Sequence, residues 1–73
     1  NIDRLAADGM VFHQHYAGAP VCAPSRCALL TGKHTGHAVV RGNLERKPEG
    51  QQEMPPDTQT IGHLLQKAGY ATG

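Results

Sequence analysis

Alternating helical and extended patterns predict an α/β fold for this chain of 73 residues. Three observations carry the prediction. Ile2, Leu5 and Ala6 recur at helical spacing and close on Gly9, where a helix C-cap glycine belongs. Met10 to Tyr16 alternates, with Val11, His13 and His15 on one side and Phe12, Gln14 and Tyr16 on the other, the period of a strand. Ile61, Leu64 and Leu65 share one face of a later helical run, and Tyr70-Ala71-Thr72 behind it begins another strand.

Taken in order, the opening helix and the first extended run are followed by a loop, Ala17-Gly18-Ala19-Pro20. Val21 and Cys22 lead to Pro24, which suits a first helical turn because its missing N–H would have no intrahelical partner there. Ser25 to Leu30 continue that helix, and it ends near Thr31-Gly32. Ala38-Val39-Val40 reads as a brief strand in a region (33 to 56) without long periodicity. Lys47 to Asp57 is polar and Pro-rich, a surface loop, and the charged run Glu45 to Glu53 reads as solvated. Asp57 or Thr58 is placed to cap the last helix, which runs to Lys67-Ala68 and closes on Gly69. Internal repeats and low-complexity segments are absent.

A chain this short buries only ~60% of its unfolded surface, and the composition supplies little with which to do it. It holds one Phe, two Tyr and no Trp, diluted by nine Gly and five Pro. Its two cysteines stand too close in sequence to close a useful loop. The chain therefore reads as a piece of a larger domain. A net charge of +1 with scattered basic residues argues against nucleic acid or a membrane surface as partner. No apolar run approaches the ~20 residues that span a bilayer. No signal peptide is legible, which leaves the compartment of the full protein open.

The densest pattern lies between Pro20 and Gly32. Pro20, Val21, Cys22, Ala23, Pro24, Ser25 and Arg26 are followed by two free positions (Cys27, Ala28), an apolar pair (Leu29-Leu30) and Thr31-Gly32. At every position this resembles the signature of the type I sulfatases. The opening Asn1 to Ala6 resembles the helix that precedes the signature in that family, and Leu64 to Thr72 the helix-to-strand passage after it. The resemblance covers nearly the whole chain and is weakest from Lys47 to Met54. It implies an alkaline-phosphatase-like α/β sandwich, with residues 1–73 an N-terminal fragment of the catalytic domain.

What the resemblance implies about chemistry follows residue by residue. Cys22 would be oxidised to formylglycine, with Cys22, Pro24 and Arg26 the determinants read by a formylglycine-generating enzyme. One hydroxyl of the aldehyde hydrate would attack sulfur and displace the alcohol. The other would then lose its proton and expel sulfate, an exit that serine lacks. Arg26 would pair with the hydrate and a metal-bound oxygen, while Ser25 and Lys33 would give support. Cys22 as formylglycine would be one ligand of a divalent cation, calcium by resemblance, acting as Lewis acid. The other ligands would come from outside this chain, because Asp3, Asp8 and Asp57 do not match the family's metal motifs. The isolated fragment is accordingly expected to be inactive. The substrate would be a sulfate-ester small molecule or a sulfated glycan, and the compartment periplasmic, secreted or lysosomal. The residue types agree with this chemistry on their own terms. A helix N-terminus favours anions and lowers a thiol pKa, and an arginine one turn further on keeps its charge at any working pH.

Other readings compete. A phosphonate or phosphate-ester hydrolase of the same superfamily would carry a similar cysteine signature. From a different class, Cys22, Cys27, His34 and His37 could be scored as the zinc set of a small binding module, but their spacing is poor for it. Cys27, at a free position, reads as a core residue. His13 and His15 read as ordinary histidines. His34 to His37 and Arg41-Gly42-Asn43 are candidates for the rim of a substrate entrance.

Overall fold

Among the described residues, three helices organise the chain: α1 (Ile2–Asp8), α2 (Cys22–Thr31) and α3 (Ile61–Lys67). The computed structural model describes residues 1–48 and 50–73; Glu49, part of the expected solvated loop, lies outside the described residues. Helix α1 buries none of its residues, and Ile2 and Leu5 are 83% and 74% exposed. Gly9 ends it in extended backbone (φ −131°, ψ −149°), at the expected position but without the left-handed geometry of a glycine cap.

Helix α2 begins two residues before Pro24 and ends on Gly32, whose φ of 66° and ψ of 16° make a left-handed cap. The Gly32 N–H returns to the Ala28 carbonyl at 2.9 Å, and the Thr31 hydroxyl donates to the Cys27 carbonyl at 2.7 Å. One flank of α2 is the core of the segment. Pro24 is fully buried, and Cys27, Ala38 and Val40 form an apolar cluster with Ala23 and Met54 against it. Gly18 packs on the same helix: a Cβ there would fall 2.8 Å from the Ala28 Cβ.

Helix α3 is capped by Thr60, not by Asp57 or Thr58. Thr60 and His63 form a reciprocal capping box, the imidazole Nδ1 accepting the Thr60 N–H at 3.2 Å and lying 2.8 Å from its hydroxyl. Thr58 is used in a turn instead, its N–H bonding the Pro55 carbonyl at 2.9 Å.

The expected strands do not form. Met10–Tyr16, Ala38–Val40 and Tyr70–Thr72 are irregular, and among the described residues the one bridge pairs Glu45 with Gln51. A strand is stable only when a neighbour takes its N–H and C=O groups, and none of these three runs meets another. Ala38 and Val40 alternate inward as expected, but against α2 rather than within a sheet.

The segment exposes 6572 Å², where a compact monomer of this size exposes about 4,400 Å². Its radius of gyration is 15.1 Å, against about 11 Å for a self-contained globule. Phe12, Leu29, Ile61 and Leu64, all more than half exposed, account for part of the excess. This geometry suits a segment that completes its core against further chain.

Candidate active site

Cys22 is the first residue of α2, and its thiol is exposed. The residue before it, Val21, takes the extended N-cap conformation (φ −124°, ψ 159°) but offers no side-chain acceptor to the first turn. The acceptor comes from far along the chain. Asn43 Oδ1 takes the Ala23 N–H at 3.2 Å, while Asn43 Nδ2 stands 3.5 Å and Oδ1 3.6 Å from Cys22 Sγ. Both sulfur distances suit the larger radius of sulfur. The thiol donates to Oδ1 when protonated, and the thiolate accepts from Nδ2.

This environment holds the Cys22 thiol below its ordinary pKa. The hydrogen bond with Asn43 is the largest cause; desolvation opposes it, and the Ala23 N–H and the Arg26 guanidinium add to the fall. Arg26 lies four residues on and is exposed on the helix surface, so its charge reaches the thiol from the next turn. Pro24 points the other way, into the core, and Ser25 is half-buried. The helix thus separates an exposed flank, with Cys22 and Arg26, from an anchoring one.

The structure does not bring Lys33 to this group. It follows the opposite end of α2, whose span from Cys22 to Thr31 is about 13 Å at 1.5 Å per residue. Lys33 and Ser25 instead share a hollow of about 660 Å³ whose wall also includes Tyr16, Gly18 and His34. Arg26 lines a smaller hollow of about 230 Å³ with Val40 and Met54. Cys22 lines neither. The zinc set is likewise dispersed: Cys27 is 3% exposed in the core, while the His34 and His37 rings pack edge-to-face at 4.7 Å. Among the described residues, no three His, Cys, Asp or Glu side chains converge to hold a metal.

Asn43 is the residue that sequence reasoning undervalued. Its stretch reads as a rim, and nothing local ties it to a helix twenty positions away. The available signal was negative: an N-cap valine leaves first-turn N–H groups in need of a remote acceptor.

A family model described as Sulfatase matches residues 1–73. The chain belongs to the sulfatase family. Human arylsulfatase D is 39% identical over 82 residues, covering 100% of this chain and 13% of its own length. Pig N-acetylgalactosamine-6-sulfatase is 40% identical over 78 residues, covering 99% of the chain and 15% of its own length. Dog arylsulfatase H is 42% identical over 78 residues, with 100% and 14% covered. The chain thus spans about one-seventh of the length of these sulfatases. The fold that the family implies, the alkaline-phosphatase-like one, is far larger than the three helices seen here.

Proposed function

We propose that this chain is the nucleophile-bearing segment of a sulfuric ester hydrolase that cleaves sulfate monoesters through a formylglycine made from Cys22. The observation that carries the reading is the position of Cys22: exposed, first in α2, inside an unbroken Pro20-to-Gly32 signature, in a chain of the sulfatase family. The thiol is accessible to oxidation and its pKa is lowered, so the residues present fit the modification. An aldehyde there supplies a hydrate with two hydroxyls, one to attack sulfur and one to release sulfate.

The chain's own contributions are specific. Arg26 brings a permanent positive charge to the side of α2 that carries Cys22, where it favours a sulfate anion. The α2 N-terminus adds the partial positive charge of its N–H groups. Pro24, Cys27 and Ala28 anchor the helix so that its first turn is held in place. Lys33 and Ser25 line a separate hollow that Cys22 does not reach, so neither is assigned a role at Cys22.

A divalent cation, calcium by resemblance, does not fit the described residues by themselves, since no donor set converges there. No step is therefore assigned to it within this segment, and its ligands would come from the remainder of the catalytic domain. The remaining partners are the formylglycine-generating enzyme and a sulfated small molecule or glycan. A periplasmic, secreted or lysosomal setting accords with that chemistry; no helix among the described residues is long and apolar enough to cross a membrane.

The test is peptide mass spectrometry across Cys22 on full-length protein from its native host, with an aldehyde-reactive probe, followed by turnover of an aryl sulfate and an aryl phosphate. Probe-labelled residue 22 with preferred sulfate turnover supports the reading. Preferred phosphate turnover moves it to the phosphate and phosphonate hydrolases, and an unmodified, inactive protein overturns it. The isolated 73-residue chain is expected to show no turnover.

A further inference from the structure

We infer that Asn43 is a positioning residue for Cys22, one amide both capping α2 and holding the reacting side chain at the helix mouth. The inference rests on the reading of Cys22 as the nucleophile's precursor. Its geometry is threefold: Asn43 Oδ1 on the Ala23 N–H at 3.2 Å, Nδ2 at 3.5 Å from Sγ, and Sγ at 3.6 Å from Oδ1. Because Val21 supplies no cap, the bond to Ala23 satisfies an N–H that α2 leaves open.

That bond also fixes which way the amide faces. Rotating it by half a turn would set Nδ2 against the Ala23 N–H, donor against donor, so Nδ2 stays on the side of Cys22. The backbone around Asn43 is tied as well. Gln52 N–H bonds the Leu44 carbonyl at 3.0 Å, Arg46 N–H the Gly50 carbonyl at 3.1 Å, and Gln52 Nε2 the Val39 carbonyl at 3.3 Å. A short bonded turn therefore carries the amide to α2. Whatever electronegative atom stands at the Sγ position, sulfur before oxidation or oxygen after it, meets an oriented donor. A cap alone would need only the oxygen, and aspartate would serve as well.

Asn43→Asp separates the two roles: it keeps the acceptor for Ala23 and removes the donor. Asn43→Ala removes both. Full-length wild type and both variants would be compared in three ways: extent of residue-22 oxidation by mass spectrometry, crystal structures of the unoxidised forms, and kcat and KM on an aryl sulfate per oxidised site. In Asn43→Ala the Cys22 side chain is expected to populate more than one rotamer, with kcat down about tenfold or more. Asn43→Asp should restore the thermal midpoint without restoring kcat, a split that a merely structural cap would not produce. Wild-type kcat in Asn43→Asp, or an unchanged single Cys22 rotamer in Asn43→Ala, would overturn the inference. If oxidised wild type turns over no sulfate ester, the hydrolase reading falls and the rotamer comparison alone decides the role of Asn43.

Discussion

Cys22 and Cys27 lie on one helix and face opposite ways: the first thiol is exposed, the second is 3% exposed in the core. Five residues of α-helix turn the side chain about 140° around the axis, which suffices to put one cysteine in solvent and the other against Ala38 and Val40. In full-length protein expressed without oxidation of Cys22, iodoacetamide should label Cys22 in the native state and Cys27 only on unfolding. The lowered Cys22 pKa means that thiolate forms at lower pH than in an ordinary cysteine. Its alkylation rate should therefore rise with pH and level off earlier than that of a denatured control. The same shift adds stability above the unfolded thiol's pKa, and this is lost as pH falls through the folded value. Equal labelling of both cysteines would refute the assignment of the two flanks.

Substitution at the signature should separate attack from support. Cys22→Ser replaces the thiol by a hydroxyl and so removes the group that a thiol-oxidising maturation enzyme acts on; probe labelling at residue 22 should vanish and turnover fall by at least about 100-fold. Arg26→Lys keeps the charge and loses the planar fork of donors, with kcat/KM expected to fall about 10-fold or more. Steady-state kinetics on an aryl sulfate, with modification at residue 22 quantified, checks both.

Two glycines flanking α2 should resist alanine for different reasons. Gly32→Ala puts a Cβ on a backbone with φ of 66°, at a cost of about 1 kcal/mol. Gly18→Ala brings a Cβ within 2.8 Å of the Ala28 Cβ, and overpacking of this kind costs roughly 1–3 kcal/mol. Urea unfolding of the full-length variants measures both. If Gly18→Ala is neutral, the loop does not pack on α2 as described.

Thr60 caps α3 through its pairing with His63. Thr60→Ala should cost about 1 kcal/mol, whereas Asp57→Ala and Thr58→Ala should cost little, since neither residue caps the helix. Thermal melts of the three variants rank them directly.

Helix positions were legible in the sequence because helices are local. Apolar spacing, Pro24 and the terminal glycines announce α1, α2 and α3 to within a few residues. The cap of α3 is not legible locally, because Asp57 and Thr58 are also good cap types and only the reach of His63 selects Thr60. Strands are not settled by the sequence, because alternation shows that a run could pair, not that a partner is present. Met10 to Tyr16 meets none among the described residues.

By itself, then, the sequence determined the family and the signature, since Cys22, Pro24 and Arg26 fall within two helical turns of one another. Only the tertiary structure decided which side of α2 is anchored, that Lys33 stands at the far end of the helix, and that Asn43 closes its open mouth. The physical reason is range. Helical turns are set by neighbours three and four residues apart, whereas a cap from twenty residues away exists only once the chain has folded back to bring its amide within hydrogen-bond reach.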